Sequence, residues 1–167
     1  MNAALYWTIW IALALFAAGE AGKRGLHDGR APKPWAWWAF AIGCAIAIVH
    51  VAIAMGVRHH WSHAAAIDAT ARQTFSVFGL DWGGGVYVNY AFLLVWATEV
   101  WLWRRAPERY AARPASMTWT IRAFYLVIIA SAAIVFAGGL RGVAGVLVVA
   151  TLLVSWTRRT GGTENTG

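Results

Sequence analysis

Long apolar runs separated by short basic gaps constrain this chain more than any other feature of its sequence. Two gaps and the end of the last run carry most of the cations, namely Lys23, Arg24, Arg30 and Lys33, then Arg104, Arg105, Arg109 and Arg113, then Arg158 and Arg159. Multi-pass membrane proteins show this alternation because short basic loops resist translocation and stay in the cytoplasm. The pattern predicts that the N-terminus and the loop 58–84 lie outside, and that the loops 20–34 and 104–118 and the C-terminus are cytoplasmic.

Composition supports insertion in a membrane and excludes other classes. Hydrophobic residues make up 60% of the 167 residues and charged residues 13%, which is too apolar for an ordinary soluble domain. The net charge of +7 borders apolar runs instead of covering one face, so we expect lipid headgroups and not nucleic acid as its partner. The single cysteine, Cys44, excludes an intrachain disulfide.

The apolar runs predict an all-α integral membrane protein, a bundle of four to five transmembrane helices with an outer amphipathic helix. We expect one domain over residues 1–160 and a disordered tail over 161–167, with spans at about 3–19, 35–57, 85–103, 119–137 and 143–156. A continuous helix over 118–156 would be roughly 58 Å long, so this stretch must turn back, and the glycine-rich segment 138–142 is its only break. Because the last span is short, four spans remain an alternative to five.

The twelve tryptophans give a second signal for the same topology, because indole rings prefer the headgroup zone. Seven lie at predicted cytoplasmic ends: Trp35, Trp37, Trp38, Trp101, Trp103, Trp119 and Trp156. Trp7, Trp61 and Trp82 lie at predicted outer ends. Trp96 alone lies clearly inside a span.

The outer loop has the pattern of a helix over about 62–78. Ser62 is a suitable N-cap and Gly79 can end the helix, while Ile67, Phe75 and Phe78 share one apolar stripe. We expect an amphipathic helix that lies on the outer membrane surface or over the mouth of the bundle.

Candidate metal ligands gather in the same loop. His59, His60 and His63 are spaced so that one helical turn could direct two imidazoles at one ion, and Asp68 could add an oxygen ligand. Met55 precedes His59 by four residues, which would favour copper over zinc. The alternative is a solvated cluster that binds no metal, and the absence of a stringent companion motif favours it.

His50 differs from the other histidines because it lies within the second span. It shares a face with the small residues Ala39, Gly43 and Ala47, so it should point into the bundle, where Asn89 is a candidate partner. The readings are a structural hydrogen bond, haem ligation or a proton relay. Haem needs a second axial ligand, and the third, fourth and fifth spans contain no histidine.

No catalytic pattern stands out, so we expect no enzyme. Ser62 and His63 are adjacent and would diverge on a helix, and no acid orients them. We expect Glu99 to pair with Arg104, Arg105 or Arg122 near the cytoplasmic surface instead of serving in catalysis.

The segment 58–100 resembles uncharacterised multi-pass membrane proteins of bacteria. The resemblance is carried by Trp61–Ser62–His63–Ala64–Ala65, Thr70–Ala71–Arg72–Gln73–Thr74, Asp81–Trp82–Gly83–Gly84–Gly85 and Tyr87–Val88–Asn89–Tyr90. It implies no activity, cofactor or fold. It implies only that any shared function lies in the outer loop and the start of the third span. We expect the chain to lie in the bacterial inner membrane.

Three functions remain. The first is a non-enzymatic structural or accessory subunit, whose small residues, among them Gly138 and Gly142, pack against other membrane subunits or a second copy of the chain. The second is a metal- or haem-binding protein that uses copper, zinc or haem at the histidines, although we expect no cofactor. The third is a small oligomeric transporter, which the lack of paired broken helices disfavours.

Overall fold

The computed structural model describes residues 3–23, 33–135 and 139–157, and helices dominate all three stretches. The helices are α1 (Ala3–Gly22), α2 (Pro34–His59), α3 (His63–Phe78), α4 (Gly85–Arg105), α5 (Pro107–Ala111), α6 (Ala115–Ala130) and α7 (Gly139–Thr157). The predicted all-α bundle is confirmed. The predicted tail over 161–167 lies outside the described residues.

Four helical stretches are long and apolar enough to cross a bilayer: Ala3–Gly22, Pro34–His59, Gly85–Arg105 and Ala115–Ala133. A shorter apolar stretch, Gly142–Thr157, lies in α7. The chain is therefore a membrane protein. We call the end of the bundle that carries Lys23, Arg104 and Arg113 the basic end, and the end that carries His59, His60 and His63 the histidine end.

The helix boundaries follow local chemistry. Pro34 starts α2 because its fixed φ suits the first helical turn and its missing N–H costs no hydrogen bond there. The hydroxyl of Ser62 accepts a hydrogen bond from the amide of Ala65 at 3.2 Å, which caps α3. Gly79 ends α3 with φ of 70°, a left-handed conformation that glycine adopts without strain.

The helix α7 packs against the end of α6. The last turn of α6 continues as a π-helix, Ser131–Val135, and α7 begins at Gly139 and packs against it. A Cβ on Gly145 would collide with the Ala133 carbonyl, so only glycine permits this approach. Gly142 lies inside α7 and not in the turn, and Gly138 lies outside the described residues.

An aromatic cluster forms the centre of the bundle. Phe16 of α1 meets Trp96 of α4 edge-on, with ring centroids 4.9 Å apart, and meets Tyr125 of α6 at 5.0 Å. Phe40 of α2 and Phe92 of α4 complete the cluster. Because α1, α2, α4 and α6 all contribute a ring, the cluster joins the four long helices.

Small residues bring α2 against α1 and α4. A Cβ on Gly43 would lie 3.0 Å from Leu15 Cβ and 3.1 Å from Trp96, which leaves no room for a larger side chain. Ala47 is buried on the same face and Ala39 is half-buried. The face that the sequence assigns to helix packing is therefore directed into the bundle.

The helix α3 covers the histidine end, packed on α2 and α4. Its Ala66 and Thr74 are buried, whereas Phe75 and Phe78 are 60% and 55% exposed. Of the two predicted positions, the mouth of the bundle is the one that α3 occupies.

Candidate functional site

Two adjacent cavities open at the histidine end, beneath α3. Their volumes are about 590 Å³ and 350 Å³. They share seven lining residues and are lobes of one space, which we call the histidine cavity: Ile9, Leu13, His50, Ala54, His59, Thr70 and Ala132. The space is bounded by α1, α2, α3, α4, the end of α6 and the π-helical turn.

The walls of the histidine cavity are apolar with a few polar groups. The larger lobe adds Tyr6, Arg58 and Gln73, and the smaller lobe adds Asn89 and Tyr90. No Asp or Glu occurs among the described residues that line either lobe. Apolar walls with a few convergent polar groups are typical of small-molecule sites.

The hydrogen bonds around His50 favour one tautomer of its ring. Nδ1 of His50 lies 2.9 Å from the hydroxyl oxygen of Thr8. A hydroxyl has one hydrogen, and Thr8 donates it to the carbonyl of Ala4 at 2.6 Å. This shorter bond favours the tautomer in which Nδ1 of His50 donates to Thr8. The backbone of Leu5 also hydrogen-bonds the ring. With Nδ1 protonated and the ring neutral, Nε2 carries a lone pair, and His50 lines both lobes of the cavity.

Asn89 is not the partner of His50, contrary to the expectation from sequence. Thr8 of α1 takes that place, and Asn89 is exposed on α4, where it lines the smaller lobe. The residue faces the cavity instead of a neighbouring helix.

The helical turn on which the metal prediction relied is absent. His59 is the last residue of α2, His60 has φ of 48° in the left-handed region, and His63 is the first residue of α3. The chain bends between them, so the spacings of three and four residues do not align the imidazoles. Among the described residues, no group of three or more His, Cys, Asp or Glu side chains could hold a metal ion.

The remaining predicted ligands have other surroundings. The sulfur of Met55 accepts a hydrogen bond from the hydroxyl of Tyr90 at 3.9 Å. The ring of Tyr90 also stacks on His63, with centroids 5.5 Å apart. Asp68 is exposed on α3 and does not line the cavity. The structure thus brings Met55 near Tyr90 and His63 but leaves Asp68 apart.

Two histidines line the cavity, yet they cannot ligate one haem. His50 and His59 are nine residues apart on α2, and a rise of 1.5 Å per residue separates them by roughly 13.5 Å along the helix. Axial ligands approach the iron from opposite faces of the haem, usually from two helices, whereas His50 and His59 belong to one. Either His50 or His59 could supply one axial ligand to a haem, but not both to the same haem.

A second polar site lies at the opposite end of the bundle, where three buried charged side chains meet two half-buried guanidinium groups. We call this set the buried charge cluster: Glu20, Lys23, Glu99, Arg113 and Arg122. Glu20 and Glu99 are each 3% exposed and Lys23 is 2% exposed. Charges buried to this degree are stable only when they are paired and hydrogen-bonded.

Each carboxylate of the buried charge cluster has several partners. Glu99 accepts hydrogen bonds from the hydroxyl of Tyr110 and from Nη1 of Arg113, both at 2.5 Å. Glu20 accepts one from Lys23 at 2.5 Å and one from the indole of Trp156 at 2.9 Å. The cluster therefore joins the ends of α1, α4 and α7 to α5 and the loop that follows it.

Burial changes the acid–base behaviour of two groups in this region. Burial lowers the pKa of the Lys23 ammonium, although Glu20 and Glu99 oppose the change. Burial also raises the pKa of the Tyr110 phenol, and the neighbouring Glu99 and Glu20 carboxylates raise it further. The phenol of Tyr110 thus stays a hydrogen-bond donor to Glu99.

Sequence reasoning missed this cluster and misassigned Glu99. It treated Lys23 and Arg113 as loop cations and paired Glu99 with Arg104, Arg105 or Arg122, whereas Arg113 is the cation that binds Glu99. One signal was present: Glu20 and Lys23 are three residues apart at the end of the first apolar run, which is the spacing of a helical ion pair.

No protein-family model, curated protein or solved structure matches this chain.

Proposed function

We propose that this protein is a non-enzymatic membrane component that binds a small, lipid-soluble molecule in the histidine cavity. In this proposal Nε2 of His50 accepts a hydrogen bond from the bound molecule. The observation that carries the proposal is the 2.9 Å hydrogen bond between Nδ1 of His50 and Thr8, on a histidine that lines both lobes of the cavity. In the tautomer that donates to Thr8, Nε2 is an acceptor. An ionisable side chain within a membrane span is costly and by default indicates function.

The size and composition of the cavity support a small molecule as the occupant. Volumes of 590 Å³ and 350 Å³ fall within the range of ligand pockets. Apolar side chains such as Ile9 and Leu13 suit a hydrocarbon skeleton. A free lone pair selects a molecule with a hydroxyl or another hydrogen-bond donor.

Decylubiquinol and decylubiquinone provide a matched pair of probes, because the quinol donates hydrogen bonds from its ring hydroxyls and the quinone only accepts them. Their affinity for the purified protein can be measured anaerobically by equilibrium dialysis. We expect the protein to prefer the quinol about five- to tenfold, as one hydrogen bond would give. Equal affinity for both probes, or no binding of either, would refute the proposal.

Two substitutions of His50 distinguish the contribution of Nδ1 from that of Nε2. In His50→Asn the amide can still donate to Thr8, but nothing replaces Nε2, so the preference for the quinol should disappear. In His50→Gln the longer amide places an acceptor near the position of Nε2, so part of the preference should remain. His60→Asn is the control, because His60 lines neither lobe and asparagine tolerates its left-handed backbone.

Haem or metal binding is the second candidate, because a free Nε2 lone pair is also what iron, copper or zinc requires. One axial ligand would come from His50, and the other from a second copy of the chain or from a small molecule. A reduced-minus-oxidised optical spectrum and elemental analysis of the purified protein test this. A Soret band or stoichiometric metal that His50→Asn abolishes would favour the second candidate over the first.

We further propose that the chain resides in the bacterial inner membrane with its basic end in the cytoplasm. The support is the gathering of Lys33, Arg104 and Arg105 beside helix ends, as the positive-inside rule requires. Cys44 is buried, so a thiol reagent should react only with a cysteine introduced at an exposed site. In intact cells an impermeant thiol reagent should label Gln73→Cys and should label Glu108→Cys only after lysis. The reverse result would invert the orientation.

We also propose that the protein works with other membrane subunits or as a homo-oligomer. A native gel in mild detergent should show a particle well above the 18.2 kDa of one chain after correction for bound detergent. A clean monomer would count against this part of the proposal and leave the histidine cavity unaffected.

A further inference from the structure

A small cavity at the basic end lies outside both sites described above. Its volume is about 300 Å³, and it opens between the start of α2 and the end of α4. Its lining combines three indoles and two prolines with two cations: Trp37, Trp38, Trp103, Pro34, Pro107, Lys33 and Arg104. We call it the tryptophan pocket.

The indole walls of the tryptophan pocket are held in place. The indole nitrogen of Trp37 donates a hydrogen bond to the carbonyl of Val100 at 3.1 Å, which ties α2 to α4. Trp38 meets Trp37 edge-on at 4.8 Å. Trp103 is buried and stacks on Tyr110, with centroids 6.2 Å apart. The pocket is therefore a formed site rather than a gap between loose side chains.

Its two cations have no acidic partner among the described residues. Neither Lys33 nor Arg104 forms an ion pair with an acidic side chain in the parts of the chain that the structure describes. The guanidinium of Arg104 lies 5.5 Å from the centre of the Trp37 ring, which holds the charge at the rim. Glu20 and Glu99 are occupied within the buried charge cluster. The pocket is therefore positive and suited to an anion.

The depth of the pocket indicates which anion. It lies where α2 begins and α4 ends, which is the level of the lipid headgroups for helices that cross the bilayer. Exposed indoles at Trp35, Trp38 and Trp101 mark the same level. Basic pockets between transmembrane helices at this depth bind phosphate headgroups.

We propose that the tryptophan pocket binds the phosphate of one anionic phospholipid, with Lys33 and Arg104 as the phosphate ligands. The indoles of Trp37 and Trp38 contact the glycerol region, and the acyl chains run along α2 and α4 in the bilayer.

Native mass spectrometry of the purified full chain in mild detergent can test this, with phosphatidylglycerol and phosphatidylcholine of identical acyl chains as probes. Both lipids carry a phosphate, but the choline cation makes phosphatidylcholine neutral overall. Each basic side chain strengthens the binding of a net anionic headgroup about fivefold, so two should give phosphatidylglycerol an advantage of about 25-fold. The double variant Lys33→Gln/Arg104→Gln should lose this advantage, and Lys33→Gln alone should lose about fivefold. Both side chains are exposed, so neither substitution disturbs the core.

A matched control removes the same charge from exposed positions that line none of the described cavities. Arg105→Gln/Arg109→Gln should retain the preference for phosphatidylglycerol. An equal loss in this control, or no headgroup preference in the unaltered protein, would overturn the proposal. Displacement of the lipid by millimolar inorganic phosphate would also overturn it, because a soluble anion would then be the occupant.

Discussion

Replacing Glu99 by glutamine should destabilise the folded protein by about 3–5 kcal/mol, because the substitution leaves buried cations without a counter-charge. Glu99 is 3% exposed and accepts hydrogen bonds from Tyr110 and Arg113, and Lys23 lies 3.8 Å from its carboxylate. Glutamine nearly preserves the shape but removes the charge.

The magnitude follows from the partners of Glu99. A hydrogen bond to a charged group contributes about 1.5–3 kcal/mol, and glutamine can keep only one acceptor of the two that Glu99 offers. The buried charge cluster holds two carboxylates, Glu20 and Glu99, and three cations, Lys23, Arg113 and Arg122. In the variant three cations face one carboxylate, so the desolvation cost of Arg113 is no longer offset.

Unfolding by SDS titration and thermal melting in mild detergent can measure the effect. The control is Glu108→Gln, which removes an exposed carboxylate from the adjacent short helix and should change stability by less than about 0.5 kcal/mol. Arg113→Gln should lower the stability of the Glu99→Gln variant much less than it lowers that of the unaltered protein, because the ion pair between the two residues is already lost. The reasoning is refuted if Glu99→Gln matches the Glu108 control, or if the two substitutions are additive.

Three further predictions test the packing and the buried hydroxyls. Gly43→Ala should lower the free energy of unfolding by about 1–3 kcal/mol, because the new methyl group would press on Leu15 and Trp96. A melting temperature equal to that of the unaltered chain would contradict this. Tyr125→Phe should raise the free energy of unfolding by about 1 kcal/mol, because the Tyr125 hydroxyl is buried and has no hydrogen-bond partner among the described residues. A loss of stability would show that a partner exists. Tyr110→Phe should instead cost about 1.5–3 kcal/mol. Above about pH 10 a tyrosine ionises in the unfolded chain, but its raised pKa keeps Tyr110 protonated in the folded protein, so the parent loses stability as the pH rises. Tyr110→Phe should lose less stability over the same pH range. Parallel profiles of stability against pH for the variant and the parent would contradict this.

Elements that depend on local chemistry were predictable from the sequence. The outer helix is an example, since Ser62 caps its first turn and Gly79 ends it, as their residue types indicate. The four long apolar helices are another, because burial in lipid requires a long uncharged segment wherever the chain crosses. The inward direction of His50 also followed from the small residues that share its face.

The contents of the candidate site were less predictable. The spacing of His59, His60 and His63 assumed a continuous helix, but the left-handed backbone at His60 and Trp61 ends α2 between them. The partner of His50 could not be read from the spans, because Thr8 is 42 residues away and nothing in its own segment distinguishes it. The histidine cavity depends on the packing of α3 over α2 and α4, which no single segment specifies.

Sequence alone determined that this chain is a helical membrane bundle, because hydropathy and charge act on each segment separately. Only the tertiary structure decided which charges are buried. Lys23 and Arg113 look like loop cations in the sequence, yet the ends of α1, α4 and α6 and the α5 region bring them against Glu20 and Glu99. A buried ion pair depends on the distance between atoms of different helices, and that distance is set by packing and not by the order of residues.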